Sequence, residues 1–214
     1  MEQAFEEDEY ADMSAGWIED AAIIETVTGL FEFAAGKTDR LTECLPFVLK
    51  WEGGYSNHPS DRGGATMRGI IQSVYDLWRR AAGLPSAPVK EISDSDVREI
   101  YRRRYWILSK ANLLPAPLDL IHFDTAVNCG TNGAAKLLQR SLGIKADGVI
   151  GPVTLAAVRS QTETGAEVKA LCDEYIDRRD QRYRDIVAGR ASQEVFLNGW
   201  LNRTKDLRKA AGLT

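Results

Sequence analysis

Residues 49–71, LKWEGGYSNHPSDRGGATMRGII, constrain this chain more than any other stretch. They close an apolar run of helical period and set a single acid, Glu52, directly before Gly53 and Gly54. A polar, turn-rich segment follows, holding Asp61, the pair Gly63-Gly64, and Thr66. Glycine pairs allow positive φ and clear side-chain bulk, so a large ligand can approach the backbone. A helix-terminal acid beside Trp51 and Tyr55 is shielded from water by aromatic surface. The helix's carbonyl end also disfavours a carboxylate, and both effects raise a carboxyl pKa towards the range of a general acid. Taken alone, an E-G-G triplet is also the ordinary charged end of a helix.

Further motifs narrow the reading. EGGYSNHPSDRGGATMRGI resembles the E-G-G-Y-x-N-x-P-x-D-x-G-G-x-T-x-x-G-I stretch of glycoside hydrolase family 108. These are N-acetylmuramidases found among phage endolysins and bacterial proteins once called secretion activators. FDTAVNCGTNGAAKLLQRSLGIKADGVIGPVTLAAV, residues 123–158, is similar to the family's peptidoglycan-binding block, and GWLNR, residues 199–203, to its terminal motif. The resemblance spans residues 41–203 and implies a mainly α, lysozyme-like fold with a short hairpin after the acid. It also implies cleavage of the β-1,4 bond between N-acetylmuramic acid and N-acetylglucosamine, with no cofactor and no metal. Glu52 would be the general acid, Asp61 a base or electrostatic stabiliser, and Thr66 the holder of a water. Tyr55, Asn57, Tyr105, Asn128 and Gln139 are expected to contact the wall polymer. Three rivals are a lytic transglycosylase, a non-catalytic wall-binding or secretion-apparatus protein, and a nucleic-acid binder.

Charge is unevenly spread. Residues 1–44 carry 2 Lys/Arg against 12 Asp/Glu, leaving 25 against 19 in the remainder of the 214-residue chain. A mildly basic body suits an anionic envelope polymer and equally suits nucleic acid, so charge alone does not choose between them. The expectation is peptidoglycan as partner, no nucleic acid and no stable membrane insertion. Cys44, Cys129 and Cys172 are too few and too scattered for a disulfide framework, and with only His58 and His122 a zinc site is not expected. The acidic N-terminus lacks the basic, then apolar, profile of a signal peptide. The expected setting is therefore synthesis in a bacterial cytoplasm and action on the wall after release by a holin or secretion system.

Three regions are expected. Residues 1–40 form an acidic extension with an amphipathic helix over about 14–35, fit for packing, docking or self-association. Residues 41–120 form the catalytic region. Residues 121–214 form a helical peptidoglycan-binding region in the same globule. Helix starts are read at Thr42 or Asp39, at Ser93 through an imperfect capping box, and with Pro152 in a first turn. The run DVREIYRRRYWILSKA interleaves Arg with Tyr and Trp. It is either a ligand-facing stripe or a solvated basic face over buried rings. Asp124 and Asn128 share a helix face by their i, i+4 spacing, where structural hydrogen bonding is the expected role.

Overall fold

A computed structural model of the protein describes residues 39–57 and 64–213. Within them the helical periodicities become α1 (Arg40–Glu52), α2 (Gln72–Ala81), α3 (Asp94–Tyr101), α4 (Leu118–Cys129), α5 (Thr131–Ser141), α6 (Pro152–Ser160), α7 (Gly165–Gly189) and α8 (Glu194–Ala210). Between α1 and α2 lie three two-residue strands, β1 (Tyr55–Ser56), β2 (Thr66–Met67) and β3 (Ile70–Ile71). They pair antiparallel in the order β1-β2-β3, with Tyr55 opposite Met67 and Thr66 opposite Ile71. This is the mainly α architecture with a short hairpin that the sequence led us to expect. The amphipathic run at 14–35 falls outside the described residues.

Local chemistry explains the boundaries. Asp39 Oδ1 accepts from the Leu41 amide at 3.1 Å and caps α1, so the helix starts before Thr42. Pro46 therefore stands inside the helix rather than in its first turn. There it removes one backbone donor, at a cost of about 3 kcal/mol, opposed by the burial of Leu41, Cys44, Leu45 and Val48. Ser93 Oγ accepts from the Asp96 amide at 3.1 Å, so the imperfect box still caps α3. Thr164 and Glu167 form a complete capping box at the start of α7.

Past α3 the chain continues as a π-helical segment, Arg102–Ile107. Tyr101 and Trp106 turn into the core, with Trp106 edge-on to Phe123 at 5.3 Å. Arg102 and Arg103 fold back onto the Glu99 carboxylate at 2.6 Å each. Much of the basic-aromatic stripe is thus satisfied by its own neighbours.

Helix α4 is the axis of the molecule. Every residue from 118 to 127 is buried, so over this stretch the helix has no solvent-facing side. It packs against α1, α5 and α7, while α8 lies on α7 and reaches α1. That last contact brings the end of the chain to Glu52.

Candidate active site

Glu52 is the last residue of α1, and its side chain is only 3% exposed. The turn between β2 and β3 covers it. Gly69 there has φ +75°, and a Cβ at that position would come within 2.8 Å of Glu52 Oε2 and 2.7 Å of Tyr101 Oη. Tyr101 Oη donates to the Arg68 carbonyl at 2.8 Å, which pins the same turn. The carboxyl is therefore roofed by backbone and a buried phenol. Nothing lies within 4 Å of where a Cβ would stand at Gly53, Gly54 or Gly64, whereas Gly69 lets the backbone close down on the acid.

Arg203, from α8, donates from Nη1 to Glu52 Oε1 at 2.8 Å, with its side chain 5% exposed. Its Nε and Nη2 grip Asp124 Oδ1 on α4 at 3.0 and 2.7 Å. Arg179 of α7 donates to Asp124 Oδ2 at 2.6 Å and to the Tyr183 hydroxyl at 2.6 Å, and Tyr183 Oη donates to Asn128 Oδ1. An alternating chain Glu52–Arg203–Asp124–Arg179 thus runs through the interior and joins α1, α8, α4 and α7. Burial alone would raise the Asp124 carboxyl, but the two guanidinium groups outweigh it and hold it below its usual range. Burial would lower Arg203, yet Asp124 and Glu52 keep it above its ordinary value. The Tyr101 phenol is pushed well up by burial and by the neighbouring Glu52 charge, so it stays a hydroxyl donor.

Glu52 therefore meets two opposed influences. Enclosure favours the neutral acid, and a guanidinium at 2.8 Å favours the carboxylate. Sequence reasoning saw the first and missed the second. A signal for it existed in GWLNR: Arg203 shares a helical face with Trp200, Thr204 and Leu207, where a charge needs a buried partner.

The other expected residues are distributed as follows. Tyr55 on β1 is 49% exposed, and Asn57 just beyond it is exposed. Thr66 on β2 is half-buried, its hydroxyl donating to the Gly64 carbonyl at 3.1 Å. Tyr105 is half-buried, its ring 5.5 Å from that of Tyr101. Asp61 lies outside the described residues. Asn128 is half-buried and engaged by Tyr183.

Gln139 stands apart from all of these, at 1% exposure. Its Nε2 is within bonding distance of Asp147 Oδ1 (2.7 Å), the Val149 carbonyl (3.0 Å) and Thr154 Oγ1 (3.1 Å), and its Oε1 accepts from the Gly148 amide at 2.8 Å. Such an amide has no hydrogen left to offer a sugar. Gln139 braces the Asp147-Gly148 turn instead of the substrate contact expected of it.

A helical body, a three-strand sheet immediately after a helix-terminal acid, and an interior guanidinium on that acid define a lysozyme-like protein. The family comparison agrees. Residues 45–130 match the family described as "Glycosyl hydrolase 108", and residues 133–205 match "Predicted Peptidoglycan domain". The solved "Structure of Brucella abortus SagA" is similar at 33% identity and TM-score 0.65, over 80% of this chain and 93% of that one. Among curated protein sequences none matches. The chain belongs to glycosyl hydrolase family 108.

Proposed function

We propose that the protein is an N-acetylmuramidase that cleaves the β-1,4 bond between N-acetylmuramic acid and N-acetylglucosamine, with Glu52 as general acid. The observation that supports this most is the position of Glu52: a single carboxyl at the end of α1, directly before the three-strand sheet, within the region matched to the glycosidase family. Its proton goes to the glycosidic oxygen as the leaving sugar departs and positive charge builds at the anomeric carbon. Arg203 holds the carboxyl in one orientation and stabilises the carboxylate left after the transfer. Thr66, on the strand joined to the roofing turn, and Asp61 are assigned to the water on the opposite face. The peptidoglycan-binding region is taken to hold the same polymer. We place the activity in a phage-endolysin setting, with passage to the wall through a holin or secretion system.

The test is digestion of purified sacculi by wild type and Glu52→Gln. The isosteric amide still accepts from Arg203, so the fold is retained, while the rate falls roughly 10²- to 10⁴-fold, the usual contribution of a general acid. Full lysis by the variant would remove Glu52 from the chemistry. Mass spectrometry of the products separates hydrolysis, which leaves a reducing N-acetylmuramic acid, from a transglycosylase, which leaves a 1,6-anhydro ring. Binding to sacculi without any sugar release would indicate a wall-binding protein instead.

A further inference from the structure

The cleft that carries most on this surface is remote in sequence from Glu52 and straddles the seam between the two family regions. One wall is the short turn at residues 112–115, within the glycosidase match; the other is the last turn of α6 and the residues after it, within the peptidoglycan-domain match. Its volume is about 460 Å³, within the range of small-molecule sites. Leu114 and Val158 form a buried apolar floor, and Leu113 stands at the rim, 47% exposed. Arg159 is exposed at the edge, with no side-chain partner among the described residues. Thr162 spends its hydroxyl hydrogen on the Val158 carbonyl at 2.8 Å, leaving its oxygen as an acceptor. Asn112 Oδ1 is buried there without a donor among the described residues, and such atoms are normally satisfied.

A pyranose would ask more of this cleft than it offers, because no aromatic face lines it. The donor and acceptor set suits a different ligand. A single guanidinium matches a free carboxylate bidentately, an apolar floor matches small aliphatic side chains, and a hydroxyl acceptor matches a peptide N–H. We propose that this cleft binds the carboxylate end of a short, alanine-rich peptide, the chemistry of the stem peptides that hang from the wall glycan. This rests on the wall being the substrate, and it gives the seam between the regions a recognition role. Glu52 reads the sugar backbone, and the cleft reads the peptide branch.

The experiment uses the full chain and a synthetic tetrapeptide ending in D-Ala-D-Ala, with its C-terminal amide as control, followed by backbone-amide NMR shifts. The expected result is shifts confined to residues 112–115 and 155–162, and affinity roughly tenfold weaker for the amide and for Arg159→Gln, since a charge-assisted bond is lost. Arg159→Lys, which keeps the charge, recovers part of the affinity. On intact sacculi Arg159→Gln digests more slowly, whereas on glycan stripped of its peptides it matches wild type. Equal affinity for acid and amide, shifts elsewhere, or an Arg159→Gln variant that binds normally would each overturn the proposal. So would a photo-crosslinker at Leu113 that captures residues 17–35 of the same chain instead of the peptide. Peptide binding is read independently of lysis, so an inactive enzyme that still binds the tetrapeptide here refutes the muramidase reading alone.

Discussion

At the residue scale the site is decided by one missing methyl. Gly69 and Gly53 both hold positive φ, +75° and +76°, but only Gly69 has Glu52 and Tyr101 where its Cβ would go; nothing lies within 4 Å at Gly53. An alanine at either costs about 1–3 kcal/mol for a backbone conformation that side chains avoid, Gly53 having ψ −170°. At Gly69 it must also displace the Glu52 carboxyl and the Tyr101 hydroxyl. Gly69→Ala is therefore expected to lower sacculus digestion at least tenfold more than Gly53→Ala does, with the larger fall in melting temperature. Equal effects would mean that the close approach is unimportant. The E-G-G signal revealed Glu52 from the sequence, because a helix end beside glycines is a local pattern. The need for glycine at 69 was not legible, since it arises from two side chains 17 and 32 positions away.

His122 is a second residue whose chemistry only the fold exposes. It is fully buried on α4, with Nε2 donating to the Ser109 carbonyl at 3.0 Å and Nδ1 2.8 Å from the Tyr175 hydroxyl. Burial pushes its pKa down to about 4, although the Ser109 carbonyl acts the other way. Between the ordinary 6.5 and that value the unfolded chain takes up a proton that the folded protein refuses. The contribution is whole above pH 6.5 and is lost as pH falls towards 4. By linkage that is about 2 kcal/mol gone at pH 5. Urea midpoints at pH 7.5 and pH 5 measure it: wild type is expected to lose this much more than His122→Gln, and parallel losses would show that His122 does not titrate this way.

At the scale of elements, α8 is joined to the site through Arg203. The sequence placed Asp124 and Asn128 on one face of α4, but periodicity contains nothing about which guanidinium meets which carboxylate. The Glu52–Arg203 bond spans 151 positions. Replacing Arg203 with Met removes the central cation and leaves Glu52 without it and Asp124 with Arg179 alone. Breaking a buried pair from one side costs about 3–5 kcal/mol, so the folded protein is expected to lose roughly that in denaturant titration. Arg203→Lys keeps the charge but not the planar fork, and falls between the two. A near-neutral Arg203→Met would show that the alternating chain adds little beyond packing. The same logic explains why the Arg-rich run after α3 was ambiguous from sequence: Glu99, four positions from Arg103, decides that two of its cations turn back on the protein.

At the scale of the whole molecule, the two family matches meet near residue 131, yet the charge chain crosses that line. Glu52 and Asp124 belong to the first match, Arg203 and Arg179 to the second. Neither region can satisfy its buried charges without the other. Helix content was legible from periodicity, whereas this interdependence was not, because it depends on long-range ion pairs within a core already counted as apolar. A chain ending at residue 190 would keep the glycosidase match and α7, but would leave Glu52 unpaired by Arg203 and uncover the faces of α1 and α7 that α8 meets. Such a truncation is expected to lose sacculus digestion entirely and to lack a cooperative melt, although every motif around Glu52 remains. The intact chain is correspondingly expected to unfold in one calorimetric transition, with van't Hoff and measured enthalpies equal. Two separated transitions, or a truncated chain that melts sharply with its α1–α6 signals in place, would show that the charge chain merely decorates two regions able to stand apart.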